Sequence, residues 1–249
     1  MGKTDTVVVL GLGEVGEPLL KLVSTRYPAI GVDVAPPGEK IQDVDVLHIC
    51  YPFQIEDFVG ESARYIERFK PNLTIINSTV GIGTTRAVAD RTDAAVVNSP
   101  IRGKHARMRE ELYHYTKFVG AIDPVSGKSA AEHFESLGLK TKTLSSPEAT
   151  ELAKLTETTY FGVLIAWAQD VERYCDKLSL DYEEIIQFYK EIGYFPSVNF
   201  FPGIIGGHCV MPNIEILSKI ERSDMLAAIQ SSNSQKIKRE AGRGKDTRT

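Results

Sequence analysis

Val7-Val8-Val9-Leu10-Gly11-Leu12-Gly13-Glu14-Val15-Gly16 decides how the first half of this chain folds. The apolar, largely β-branched run reads as a strand buried on both faces, and it passes straight into a GxGxxG turn and an amphipathic stretch. In such a turn the first glycine permits the sharp bend, the second lets the backbone approach a pyrophosphate, and the third lets the helix pack on the strand. The helix amino terminus then presents N–H groups without intrahelical partners, and the positive end of its dipole, to phosphate oxygens. Alone, the motif is weak evidence. Here Ile30-Gly31-Val32-Asp33 ends the next strand with an acid, placed where a carboxylate accepts hydrogen bonds from the adenosine ribose hydroxyls. That favours NAD over NADP.

Outward from this stretch, short β-branched runs alternate with amphipathic segments, the pattern of a parallel sheet covered by helices. Strands are expected at Thr6–Leu10, Ala29–Asp33, Val44–Cys50, Leu73–Asn77, Ala94–Asn98, Phe118–Ile122 and Thr141–Leu144, with helices near Glu14–Ser24, Ile55–Phe69, Thr84–Ala89 and Gly127–Leu137. A turn at Ser145-Ser146-Pro147-Glu148 follows, in which Ser146 can cap a helix that starts at Pro147 and runs to about Leu178. Tyr160, Leu164, Trp167, Val171, Tyr174 and Leu178 alternate four- and three-residue steps along it. This seam suits either the core of the chain or a homodimer interface. Further helices are expected at Asp181–Ile192, Ile214–Ile220 and Ser223–Ile237. The reading is an α/β chain: a Rossmann doubly wound parallel sheet over 1–145, an all-helical domain with a long central helix over 146–238, and a basic, frayed tail over 239–249.

Composition narrows the function classes. At 249 residues, with 42% hydrophobic and 25% charged residues, the chain is an ordinary globular protein long enough for one large domain and a smaller one. A formal net charge of -4 gives no electrostatic case for nucleic acid or a membrane surface as partner. No apolar run approaches the roughly 20 residues of a spanning helix. Cys50, Cys175 and Cys209 are too few and too scattered for a disulfide framework or a metal site, which fits a cytoplasmic protein with reduced thiols.

Three further places carry candidate chemistry. Ser78-Thr79-Val80 follows the fourth strand, on the edge where parallel sheets bind ligands; Thr79 can hold a water or a substrate oxygen, and Thr84 can cap the next helix. Lys154, with Glu151 and Thr158 on the same helix face, can stabilise an alkoxide or simply form a surface pair. Gly203-Ile204-Ile205-Gly206-Gly207-His208-Cys209 places a thiol in a glycine-rich loop, where His208 or Lys154 can favour the thiolate. Buried, inert cysteines are the common case, and Cys50 and Cys175 suit that description better than Cys209 does.

In combination, Gly11–Gly16 with Asp33, Ser78-Thr79-Val80 with Thr84-Thr85, Glu151-Leu152-Ala153-Lys154-Leu155 and Gly206-Gly207-His208-Cys209 resemble the nucleotide-sugar 6-dehydrogenases, the UDP-glucose, GDP-mannose and UDP-N-acetylmannosamine dehydrogenase family. The Gly-Gly-His-Cys spelling is similar to the N-acetylhexosamine branch. The resemblance implies NAD-dependent oxidation of a primary alcohol to a carboxylate through a cysteine thiohemiacetal and thioester. It implies Cys209 as nucleophile, Lys154 as oxyanion stabiliser, Thr79 as the holder of a water, and a homodimer around the long helix. The expected cofactor contacts are Gly11, Leu12, Gly13, Glu14, Val15, Gly16, Asp33, Val34, Tyr51, Pro52, Ser78 and Thr79. For an anionic substrate they are Arg102, Lys104, His105, Thr158, His208 and Asn213. The chain departs from the family pattern where Ile101 replaces an acid, Thr158 an asparagine and Asn213 an aspartate, and where a second nucleotide-binding domain would follow. Two other readings stand beside this one: a two-electron hydroxyacid-type dehydrogenase that uses Lys154 without covalent catalysis, and a dinucleotide-binding protein without catalysis.

Overall fold

The computed structural model of the chain describes residues 5–33, 41–103, 107–193, 201–206, 209–220 and 222–246. Strands β1 (Thr6–Leu10), β2 (Ala29–Val32), β3 (Val44–Ile49), β4 (Leu73–Ile76), β5 (Val96–Asn98), β6 (Lys117–Ala121) and β7 (Thr141–Leu144) form one sheet in the order β2-β1-β3-β4-β5-β6-β7. Every strand expected from the periodicity is present, within two residues of its expected ends. Neighbours are parallel except β5 and β6. That exception is not visible in the periodicity. Strand β6 begins at the edge where β5 ends: the Ser99 hydroxyl donates to the Phe118 carbonyl at 2.8 Å, and the Lys117 ammonium donates to the Ser99 carbonyl at 2.5 Å.

Alternation along β1 sends Val7 to one face and Val8 to the other, and both are fully buried. On the first face lie α1 (Gly16–Val23), α4 (Met108–His114) and α5 (Pro124–Ser136), which contribute Leu19, Leu22, Met108, Leu112 and Phe134 to one apolar cluster. On the second, α2 (Phe58–Phe69) and α3 (Thr84–Thr92) bring Phe58, Ile66 and Val88 against Leu47, Ile49 and Ile76. This is the doubly wound arrangement that continuous β-branched strands require. Strand order reverses between β1 and β3, so the crevice at their carboxyl ends is the topological switch point. Helix α4 is not expected from the sequence periodicity.

The long helix α6 spans Pro147–Leu178, as its spacing predicts, and the Ala149 N–H donates to the Ser146 hydroxyl at 3.3 Å. The chain divides into two compact units, Met1–Lys154 and Leu155–Thr249, with the division inside α6. The single helix expected over Asp181–Ile192 is two short ones, α7 (Tyr182–Ile185) and α8 (Gln187–Glu191). Between them the Tyr189 N–H donates to the Ile186 carbonyl at 3.0 Å, a three-residue step that interrupts the α-ladder. Helices α9 (Val210–Ser218) and α10 (Asp224–Asp246) close the chain. Helix α10 continues past Ile237 through Asp246, so most of the expected frayed tail is helical. Lys236 and Arg239 pair with Glu172 and Asp176 of α6, and these pairs favour the helix over an open tail. In this unit Ala166, Ile205, Val210, Ile214, Leu226 and Ile229 form the apolar cluster.

Candidate functional site

The turn after β1 is built by two glycines. Gly11 has φ +82°, its N–H donates to the Val32 carbonyl at 2.8 Å, and a Cβ there would lie 2.7 Å from the Tyr51 nitrogen. At Gly16 a Cβ would overlap the Gly11 carbonyl oxygen. Gly13 differs, since a Cβ on it would meet nothing within 4 Å. Its backbone is exposed, beside half-buried Leu12 and exposed Glu14. Val15, at the N-cap of α1, has no side-chain acceptor for the first-turn amides. Such a turn leaves room and donors for an anion at Gly13.

Beside it opens a cleft of about 730 Å³, lined by Gly11, Val32, Asp33, Tyr51, Arg64, Tyr65 and Arg91 among others. Asp33 is exposed at the end of β2. The Tyr51 hydroxyl shares a hydrogen bond of 2.7 Å with that of Ser62, and burial raises the Tyr51 pKa, so the phenol keeps its proton. The Ser78 hydroxyl donates to the Tyr51 carbonyl at 2.6 Å, joining the loops after β3 and β4. Exposed Pro52 and half-exposed Thr79 complete this edge.

Helix α3 is not capped by Thr84, because its N-cap is Gly83 and no local side chain bonds there. Glu151 of α6 does the work instead. Its Oε2 accepts from the Gly83 N–H at 2.7 Å, and its Oε1 accepts from the Thr85 N–H at 2.9 Å and the Thr85 hydroxyl at 2.6 Å. Glu151 is 1% exposed. Burial raises its pKa, against the opposing pull of these donors. The surface Glu–Lys pair considered from spacing thus gives way to a buried cap, and Lys154, three residues on, is half-buried.

Beneath the ends of β4 and β5 lies a polar network that sequence reasoning missed. Buried Lys117 donates to the Ser99 carbonyl at 2.5 Å and reaches Asn77 Oδ1 at 3.4 Å. Asn77 Nδ2 donates to His48 Nδ1 at 3.0 Å, so a neutral His48 carries its proton on Nε2 and donates to His133 Nε2, also at 3.0 Å. His48 inside an apolar strand was the one readable signal. Lys117 gave none, since a lysine at a strand end usually points to water. Burial lowers the Lys117 pKa to about 7; Cys50 pulls it up and Lys154 down. Burial likewise lowers His133 to about 4.

A pH dependence follows for Lys117. An unfolded lysine keeps its proton to about pH 10.4, so between pH 7 and that value the unfolded chain binds more protons. Stability therefore rises with pH through this window. Cys50, whose thiol burial raises to about 12, acts in the opposite sense above about pH 8.5. The measurement is thus a comparison by urea denaturation at pH 7 and 9.5: the Lys117 contribution to that rise should vanish in Lys117→Met. Identical slopes in both proteins would refute the assignment.

Ile101, where the family pattern has an acid, is 6% exposed and packs in the first apolar cluster, so this position contributes packing. The Arg102 guanidinium lies 5.1 Å from the Tyr115 ring centroid and 5.5 Å from that of Phe118, a stacked placement at the end of β5. In the second unit, exposed Cys209 occupies the N-cap position of α9, while Asn213 is 3% and Thr158 9% exposed. Val34, Lys104, His105 and His208 lie outside the described residues. The first unit thus brings together Gly11–Gly16, Asp33, Tyr51, Pro52, Ser78 and Thr79 on one sheet edge. Lys154 closes that unit and Cys209 belongs to the next.

A Rossmann-type sheet with a dinucleotide-binding turn, joined to a helical unit with an exposed thiol, defines the class. Residues 148–236 match the central domain of the UDP-glucose/GDP-mannose dehydrogenase family. A UDP-N-acetyl-D-mannosamine dehydrogenase of Methanococcus vannielii is 24% identical over 84% of this chain and 60% of its own length. The chain therefore spans about three-fifths of that relative. Among solved structures, a UDP-D-ManNAc dehydrogenase from Pyrococcus horikoshii superposes with a TM-score of 0.84 at 20% identity, over 95% of this chain and 70% of that one. A Mycobacterium tuberculosis 3-hydroxyisobutyrate dehydrogenase superposes with a TM-score of 0.71 at 16% identity, over 96% and 94% of the two chains. The resemblance drawn from the motifs is borne out.

Proposed function

We propose that this chain binds NAD on the carboxyl edge of its sheet and oxidises a primary alcohol of an anionic sugar nucleotide to a carboxylate through Cys209. The open space at Gly13, in a turn that only glycine can form at Gly11 and Gly16, carries the cofactor half of this reading. Gly11–Gly16 would hold the pyrophosphate, and Asp33 in the cleft would accept from the ribose hydroxyls. NAD supplies the hydride acceptor for both oxidations. The Cys209 thiol adds to the aldehyde carbon and later leaves as water adds to the thioester, so the aldehyde stays on the protein. Lys154 stabilises the oxyanion and Thr79 holds the water. UDP-N-acetylmannosamine, named for the relatives, is the first substrate to test. Net charge and reduced thiols suit a cytoplasmic enzyme.

Gly13→Ala separates binding from folding. Its methyl enters open space, so the melting temperature should stay within about 2 °C. The same methyl obstructs the phosphate, and NAD affinity by calorimetry should fall about tenfold or more. Unchanged affinity would remove the cofactor site from this edge.

The near end-to-end superposition with a 3-hydroxyisobutyrate dehydrogenase, and the apolar setting of Ile101, favour the two-electron reading as second choice. One NADH per substrate in place of two distinguishes it. We also propose a homodimer through α6. Tyr160, Trp167, Tyr174 and Leu178 of the heptad seam are all at least half exposed in the single chain, an apolar stripe that a second helix would cover. A monomer mass by sedimentation equilibrium at about 10 μM would overturn this, since a stable dimer binds well below that concentration.

A further inference from the structure

The loop ahead of Cys209 is held from two helices, at Ile205 by α10 and at Gly203 by α6. Asn233 of α10 faces the backbone of Ile205: its Oδ1 accepts from the Ile205 N–H at 2.7 Å, and its Nδ2 donates to the Ile205 carbonyl at 2.8 Å. Two bonds from one side-chain amide to the N–H and C=O of one residue fix the two peptide units that flank it, as a neighbouring strand would. Two residues earlier, Gln169 of α6 donates to the Gly203 carbonyl at 2.7 Å, and the Ser232 hydroxyl orients Gln169 by donating to its Oε1 at 2.9 Å. Asn233 is 4% exposed, Gln169 is fully buried, and the Ile205 side chain is 3% exposed in the apolar cluster of this unit. A glycine-rich loop has high intrinsic freedom. Buried amides from two helices restrict it at Gly203 and Ile205.

We propose that Asn233, with Gln169 behind it, is a positioning residue that sets where Cys209 is presented. This rests on the reading of Cys209 as nucleophile. Cys209 lies four residues beyond Ile205 and opens α9, so the path from the clamp to the thiol is short. A nucleophile displaced by about 1 Å loses on the order of 100-fold in rate, which is the scale of effect expected.

The test compares the full-length wild type with Asn233→Ala and Asn233→Asp. The aspartate keeps the acceptor for the Ile205 N–H and loses the donor to its carbonyl when ionised. Iodoacetamide labelling, located by mass spectrometry, reads Cys209 without any need for turnover. The labelling rate at Cys209 should change by about tenfold in Asn233→Ala and by less in Asn233→Asp, while Cys50 and Cys175 react as in wild type. With UDP-N-acetylmannosamine and NAD, NADH per substrate should fall from two towards one and aldehyde should become trappable by semicarbazide. Wild-type labelling at Cys209 in both variants overturns the clamp. If Asn233→Ala also exposes Cys50 and Cys175 it has unfolded, and Asn233→Asp then decides by the same labelling criterion. A wild type that reduces no NAD overturns the proposed function instead, with the labelling still deciding the clamp.

Discussion

Cys209→Ser is expected to abolish the second oxidation, leaving at most one NADH per substrate with free aldehyde as product. A serine hydroxyl is essentially un-ionised at neutral pH and is a far weaker nucleophile than a thiolate. The covalent step should therefore slow by at least about 10³-fold. The exposed N-cap placement makes Cys209 the reachable thiol. Cys175 is 4% exposed, and burial raises Cys50 to about 12. Cys175→Ala serves as the control that should keep two NADH per substrate. Stopped-flow absorbance of NADH, with semicarbazide present to trap aldehyde, gives both stoichiometry and partition. Full four-electron oxidation by Cys209→Ser would end the covalent mechanism, whereas one NADH per substrate from the wild type itself would leave the two-electron scheme of Lys154.

Glu151→Ala carries the largest expected cost in stability. Its carboxylate accepts three hydrogen bonds at the start of α3, from the Gly83 N–H, the Thr85 N–H and the Thr85 hydroxyl, in a setting with 1% exposure. Alanine strands these donors and opens a cavity, at a cost of about 3–5 kcal/mol. Glu151→Gln keeps the volume and one acceptor but turns an NH₂ towards a backbone N–H. A smaller loss of about 1–3 kcal/mol follows. Urea denaturation of the three proteins ranks them, and a loss below about 1 kcal/mol for alanine would show that water or a shifted Ser78–Gly83 loop replaces the glutamate. The same loop carries Thr79, so a retained fold with weakened turnover is expected for the glutamine variant.

The two predictions draw on different kinds of legibility. Cys209 is legible as a candidate from spelling and order, as a thiol in a glycine-rich loop, and its role as nucleophile is what the Cys209→Ser experiment decides. The role of Glu151 is not legible in that way. Its spacing to Lys154 suggested a surface pair, whereas the residues it serves, Gly83 and Thr85, are 66 to 68 positions away in the chain. Thr84 looked like the cap for the same reason, and the fold gave that task to a carboxylate from another helix. Lys117, His48, His133 and Asn77 show the same limit: side chains from β6, β3, α5 and the end of β4 meet only once the sheet has formed.

What the sequence determined by itself was everything set by short-range periodicity and backbone permission. The buried strand into Gly11–Gly16, the βαβ alternation, the acid at Asp33 and the span Pro147–Leu178 all follow from residues within one or two turns of each other. Tertiary structure alone decided the reversal of β6, the continuation of α10 to Asp246, the buried Lys117 and the amide clamp of Asn233 on Ile205. Each depends on partners distant in the chain. A polar side chain reads as surface in sequence, and only packing reveals that its hydrogen bonds are met inside.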